Sequence, residues 1–328
     1  GKFLRPETGI STPFEEGELG DAGDVRICGG IGALAADYDA FTIDAGCLGP
    51  GAAAQLASAS AAGKKCVVMS GSADRAAAEW RRLEKLGVDR AHVAGVVTAG
   101  ELAHDYLKGV GSKLGSRVLW IAPGSADVGV CPILSGLEGY ELADDVDDAD
   151  FLVVSGVEAL MAGTPYERPT DFVEEGNIQP FGPTFTRACT RSLPMLCVSP
   201  NLHGAGWKRM DDKTPDASRS SPSTLAWHYE KLGGRVLYFG KPQTAAFNEA
   251  VAILEEAGVA YDRICHVGAS VKHDVGGATA AGLDAIFVAE EIEPEGEGAE
   301  VPFAGRVAAA FLKAGVKVPQ AAVPRFAW

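Results

Sequence analysis

The chain has 328 residues, 47% of them hydrophobic and 22% charged, a composition that supports a buried core and excludes collagen, a whole-chain coiled coil and wholesale disorder. Its 29 Lys and Arg stand against 44 Asp and Glu, a net charge of −15. A surface that negative repels phosphate backbones and anionic headgroups, so no nucleic-acid partner is expected, and no apolar run is long enough for membrane insertion.

Residues 1–30 carry six acidic side chains against three basic ones, with many glycines and little periodicity, and read as an irregular arm. From Tyr38 short apolar runs alternate with helical stretches. The predicted strands are Phe41–Asp44, Cys66–Ser70, Val93–Thr98, Val118–Ala122, Phe151–Ser155, Met195–Ser199, Val236–Phe239, Ile264–Val267 and Ala285–Val288. The Ala-rich or amphipathic segments Ala73–Leu86, Thr244–Ala257 and Ala304–Ala314 are predicted helices. Repetition of strand and helix predicts an α/β fold, parallel sheets covered on both faces. Two stretches break the rhythm. Residues 163–194 hold five prolines, and residues 203–222 are polar; both read as long loops of the kind that carry function or touch a partner. The acidic runs Asp144–Asp150 and Glu290–Glu300 read as solvated loops.

The seven cysteines, Cys28, Cys47, Cys66, Cys131, Cys189, Cys197 and Cys265, are scattered and form no C-x-x-C pair. They read as free thiols of a soluble protein in a reducing compartment rather than a disulfide frame or a zinc site. The sequence opens Gly1-Lys2-Phe3 without a methionine, as a processed or trimmed chain does. Cytoplasm, mitochondrion and plastid suit these features equally, and a removed transit peptide would favour an organelle.

In an open parallel sheet, ligands meet the carboxyl ends of strands. Four such ends carry chemistry: Asp44-Ala45-Gly46-Cys47, Ser70-Gly71-Ser72, Gly240-Lys241-Pro242, and His266-Val267-Gly268-Ala269 with Asp274 further on. This set, in this order, resembles the haloacid dehalogenase-like superfamily, and most closely its class IIA, the nitrophenylphosphatase-like branch. Connecting landmarks extend the resemblance from about Tyr38 to about Ile292: Ala77, Glu79 and Trp80 through Leu86-Gly87, Pro194 to Cys197 with Pro200-Asn201, Leu232-Gly233-Gly234, and Gly276-Gly277-Ala278 through Gly282.

The resemblance implies a doubly wound, Rossmann-like core of residues 31–100 and 200–328, with residues 293–328 as a terminal helix and tail. An α/β cap is inserted over 101–199. It also implies phosphoryl transfer through an aspartyl-phosphate, assisted by magnesium. Asp44 matches the catalytic nucleophile. Ser70, Gly71 and Lys241 match the phosphate-binding positions. Asp44, the backbone carbonyl of Gly46 and Asp274 match positions around the metal. Two matches fail. Gly46 stands where the acid/base Asp belongs, and Ala269 stands where a magnesium-binding Asp belongs. The reading is therefore a catalytically inactive member, a pseudo-phosphatase without cofactor. It would act as a binding or structural subunit, touching protein partners through the arm or the 163–194 loop. The alternative is an active or altered magnesium-dependent phosphatase on a small phosphorylated metabolite. Without the resemblance the same residues fit blander roles. Asp44 with Lys241 fits a buried ion pair, Ser70 a cap for the helix near Ala73, and Asp274 a partner of Lys241 or a helix cap. His266 and His273 fit structural roles, and Cys47 is a candidate reactive thiol.

Overall fold

The computed structural model describes residues 25–124, 131–198, 221–290, 292 and 303–328. Two compact units divide them: one gathers the described residues of 7–70, 76–97 and 241–328, the other those of 71–75 and 98–240. Their strands, in chain order, are β1 (Arg26–Ile27), β2 (Ala40–Asp44), β3 (Lys65–Ser70), β4 (Gly95–Thr98), β5 (Arg117–Ala122), β6 (Glu141–Leu142), β7 (Phe151–Val154), β8 (Ala159–Leu160), β9 (Arg168–Pro169), β10 (Pro194–Val198), β11 (Arg235–Phe239), β12 (Ile264–Gly268), β13 (Asp284–Val288) and β14 (Ala321–Val323). The helices are α1 (Ala52–Ala61), α2 (Ala76–Lys85), α3 (Ala99–Val110), α4 (Phe172–Glu175), α5 (Gly182–Thr190), α6 (Pro222–Lys231), α7 (Thr244–Glu256), α8 (Gly277–Ala280) and α9 (Phe303–Ala314). No helix among the described residues is long and apolar enough to cross a membrane.

The first unit is built on a sheet of order β1-β14-β13-β12-β2-β3-β4, parallel from β1 through β3. The strands are apolar on both faces because helices cover both, which is why they read as continuous hydrophobic runs rather than alternating ones. On one face Phe41, Ile43, Val68, Val267 and Ile286 pack with Leu56 and Leu83 of α1 and α2. On the other, Phe247 of α7 meets His266 edge to face at 5.1 Å. The register sets Asp44 opposite Met69 and Ile43 opposite Val267, so the carboxyl ends of β2, β3 and β12 finish together.

The second unit is built on a sheet of order β11-β10-β7-β5-β8-β9, with β6 joined to β5. Its central strands alternate between two cores. Leu119, Ile121, Leu152 and Met195 face Phe181, Phe185 and Tyr229. Val118, Trp120, Phe151 and Leu196 face Leu107 of α3. Within this unit α3 begins at Thr98, whose hydroxyl donates to Asp74 O at 2.7 Å and accepts from Glu101 N at 3.0 Å.

Most predicted elements stand where expected, and four readings need correction. Val236–Phe239, read as part of the core, is β11; it pairs along its length with β10 in the second sheet, so the boundary after the insert falls at 240/241 rather than at 200. Register across a crossover is a tertiary choice that an apolar run does not encode. The tail after α9 contains β14, which enters the first sheet between β1 and β13. Residues 25–30 of the expected arm belong to that unit through β1, whereas 1–24 lie outside the described residues, as do 203–220 of the second expected loop and most of Glu290–Glu300. Finally, 163–194 is no simple loop. Pro183 sits at the start of α5, where its missing N–H costs nothing, and Phe172, Phe181 and Phe185 are buried.

Candidate functional site

Two of the first unit's predicted site residues, Asp44 and Asp274, meet at one ammonium, that of Lys241. Asp44 ends β2 in extended backbone and turns its carboxylate back, so that Oδ2 accepts from Gly46 N at 3.1 Å and caps a single helical turn, Ala45–Cys47. Its Oδ1 accepts from Lys241 Nζ at 2.5 Å. The same Nζ donates to Asp274 Oδ1, also at 2.5 Å. Asp274 sits in a wide helical turn, Val271–Gly276, entered through Ser270, whose hydroxyl accepts from His273 N at 3.2 Å. The second Asp274 oxygen accepts from Ser270 N at 2.8 Å. This packing needs a glycine at 268, because a Cβ there would stand 2.3 Å from the Asp274 Cβ.

Behind the triad lies a fully buried imidazole. His266 Nδ1 is 2.9 Å from Thr42 Oγ1, and its Nε2 is 3.5 Å from Asp274 Oδ1, with no hydrogen-bond partner within range. Burial works to raise the Asp274 pKa. The adjacent Lys241 charge, with a smaller contribution from nearby His266, outweighs it, and the carboxyl is held well below the usual carboxylate range. For Lys241 burial works downward, but Asp274 and Asp44 together hold the ammonium above its ordinary value. Both groups therefore stay charged at neutral pH. The Cys47 thiol is buried, and burial followed by the charges of Asp44 and Asp274 pushes its pKa far up. It stays protonated, which removes it as a nucleophile.

Ser70 closes β3 one residue beyond the partner of Asp44 and is half-buried, as is Gly71, which follows it where the chain passes into the second unit. Gly46 and Ala269 are both exposed. A Cβ at 46 would lie 2.7 Å from Asp44 Oδ2, the free end of a side chain that can turn aside.

These residues do not fit magnesium, which wants a near-octahedral oxygen shell usually anchored by one or two carboxylates. Both oxygens of Asp274 are already engaged, by Lys241 and by Ser270 N, and its side chain is 1% exposed. Position 269 offers a methyl and position 46 only a carbonyl. Asp44 alone remains, and it is shared with Lys241 and Gly46 N. Among the described residues no three His, Cys, Asp or Glu side chains converge as a metal site.

Sequence reasoning missed a clamp on the Asp44 turn. Arg82 of α2 donates to Ala45 O at 3.1 Å and Leu48 O at 3.3 Å, and its Nε donates to Glu79 Oε1 at 2.6 Å. Glu79 is buried beside Leu83 on the inward face of α2. An acid one turn from a leucine on an apolar face, with Arg three residues on, is the signal that was there to be found.

The family described as HAD-hydrolase-like matches residues 238–313. No curated protein matches the chain by sequence. Among solved structures, a haloacid dehalogenase-like hydrolase from Brucella suis 1330 is 23% identical, covering 91% of this chain and 99% of its own, with a TM-score of 0.64. A possible sugar phosphatase of the same superfamily from Cytophaga hutchinsonii is 18% identical over 92% and 98%, TM-score 0.62. A 4-nitrophenylphosphatase from Thermotoga maritima is 19% identical over 88% and 95%, TM-score 0.52. At these identities the structural likeness speaks for the fold. The matched segment carries Lys241 and Asp274, and the chain shares the overall fold of these haloacid dehalogenase-like structures.

Proposed function

We propose that this chain is a pseudo-phosphatase: a haloacid dehalogenase-like fold that binds without turning over phosphate esters, acts as a subunit of a larger assembly and needs no cofactor. One observation carries the reading. The two positions that would complete the chemistry hold Gly46 and Ala269, and the Asp44 carboxylate is already engaged by Gly46 N and Lys241. Losing a general acid/base costs about 10²–10⁴ in rate, roughly 3–5 kcal/mol of barrier. Charge adds to this. Asp44, Asp274 and Lys241 sum to one negative charge, and without a divalent ion an incoming phosphate meets repulsion of about 4 kcal/mol per charge pair at 4 Å. The same sum argues against a role as a sensor of free phosphate. For the partner, the proposed surfaces are the N-terminal arm and the 163–194 stretch, where Tyr166 is 60% exposed.

The second reading, an active phosphoric monoester hydrolase, draws on the names of the structural neighbours and on Asp44, whose side chain keeps 18% exposure. The assay that separates them compares turnover of 4-nitrophenyl phosphate with magnesium by the native chain and by Asp44→Asn. The expected result is identical residual rates. A native rate clearly above the Asn variant on any phosphate ester establishes the second reading instead.

A further inference from the structure

Two donors address one oxygen of Asp274. Lys241 Nζ donates to Oδ1 at 2.5 Å, and His266 Nε2 stands 3.5 Å from the same atom, beyond hydrogen-bond length. The imidazole is 0% exposed, and among the described residues Nε2 has no partner. The groups around the ring are themselves described: Thr42 of β2 at Nδ1, Phe247 of α7 edge to face, Ala285 of β13 opposite in register, and Asp274. Thr42 decides where the ring proton sits. If Nδ1 carried it, Nε2 would set a lone pair against a carboxylate. With the Thr42 hydroxyl donating to Nδ1 at 2.9 Å, Nε2 carries the proton and sets a donor against Asp274 instead. A buried donor left without a partner forfeits its hydration for nothing in return. Here the missing bond is one small movement away.

We propose that His266 is the reserve partner of Asp274, a positioning residue that takes over Oδ1 when Lys241 moves off it. An ordinary N–H···O length is about 2.9 Å, so the exchange asks for a movement of roughly 0.6 Å. The turn that carries Asp274 suits such a shift. Ser270 O accepts from both Asp274 N and Val275 N at 3.1 Å, so the wide turn Val271–Gly276 is held between two helical spacings rather than locked in one. The other carboxylate oxygen stays on Ser270 N throughout. In the first state Lys241 bridges two carboxylates. In the second it answers to Asp44 alone, while Asp274 keeps two hydrogen bonds, so the ammonium leaves one partner without stranding a buried charge. No proton changes hands in the exchange. The bridge is then a two-state element, whatever role Asp44 plays.

The test uses the full chain, as a double-variant cycle of Lys241→Met and His266→Leu read by urea unfolding. What His266→Leu loses by itself, the Thr42 hydrogen bond and the Phe247 contact, is lost in both backgrounds and cancels. With Lys241 replaced, His266 is the donor left to Oδ1. The unfolding constant of the double variant should therefore exceed the product of the two single effects by at least about tenfold. Lys241→Met combined with His266→Gln, which keeps an N–H within reach of Asp274, should show no such excess. Nitrogen NMR of the native chain should find the ring proton on Nε2 and Nδ1 bare. In Lys241→Met the Nε2 proton resonance should move downfield as the new bond forms. If a variant does not fold, the position of the ring proton in the native chain decides. An excess below about tenfold overturns the proposal. So does an excess that Gln shares with Leu, a native ring proton on Nδ1, or an Nε2 proton that Lys241→Met leaves unmoved.

Discussion

Lys241 occupies the centre of a three-charge set whose geometry leaves each carboxylate dependent on it. Removing one partner of a buried ion pair typically costs about 3–5 kcal/mol, because the remaining charge stays out of water. Lys241→Met should therefore destabilise the fold strongly at pH 7, as read by urea unfolding. The pH dependence has a definite sign. Asp274 is depressed in the folded state, so its contribution is present above its unfolded value of about 3.9 and is lost as pH falls through the folded value. Lys241 is raised, so its contribution is present below about 10.4 and is lost only as pH climbs through the folded value. The native chain should lose stability on acidification below about pH 4, and Lys241→Met, with Asp274 no longer held down, should lose much less over that range. A native acid limb as shallow as the variant's would refute the assignment. Residue chemistry was the most legible level in the sequence. Asp44, Ser70, Lys241 and Asp274 were all named from strand ends and motif order, because a functional group at a strand terminus is a local feature. Thr42 and His266, 224 positions apart, were not paired in advance, because only adjacent register of β2 and β12 brings them together.

At the scale of elements, two contacts hold the ends of helices to the segments they serve. Arg82 ties α2 to the carbonyls of the Asp44 turn, and its partner Glu79 is 6% exposed. Arg82→Met should cost about 3 kcal/mol in denaturant unfolding, since it strands a buried carboxylate as well as two carbonyls. A loss within about 0.5 kcal/mol, the range of an ordinary surface change, would show that the clamp is ornamental. Near the start of α3, a Cβ on Gly100 would lie 2.1 Å from Ala73 O and 2.4 Å from Asp74 O. Helix propensity alone would make Gly100→Ala stabilising by about 1 kcal/mol. Steric exclusion reverses that sign here, so the variant should melt lower than the native chain. Helix positions were readable from amphipathic spacing, and α7 and α9 begin or end within a residue of expectation. Short strands were less so. β14 spans three residues, Ala-Ala-Val, whose place in the sheet comes from pairing with β13 and β1 rather than from any periodicity of its own.

For the whole molecule, composition and alternation of apolar runs with helical stretches were enough to specify an α/β fold with parallel sheets, because burial of both faces of a sheet leaves a mark on every strand. Motif order was enough to point to the fold that the structural neighbours share. What local sequence could not carry was allocation. β11 lies next in the chain to Lys241, yet it completes the other unit's sheet, and residues 71–75 leave the first unit only to be answered by Thr98 and Glu101. Such choices depend on which partner buries more surface and satisfies more backbone groups, quantities that exist only once both partners are folded. The sequence by itself determined that an aspartate and a lysine stand at strand ends while positions 46 and 269 carry no acid. Only the tertiary structure decided how those two are engaged. Lys241 holds Asp44 and Asp274 at once, and Asp274 has both oxygens bound. Two poorly solvated carboxylates need a cation between them, and the charge nearest to hand in the folded chain is an ammonium.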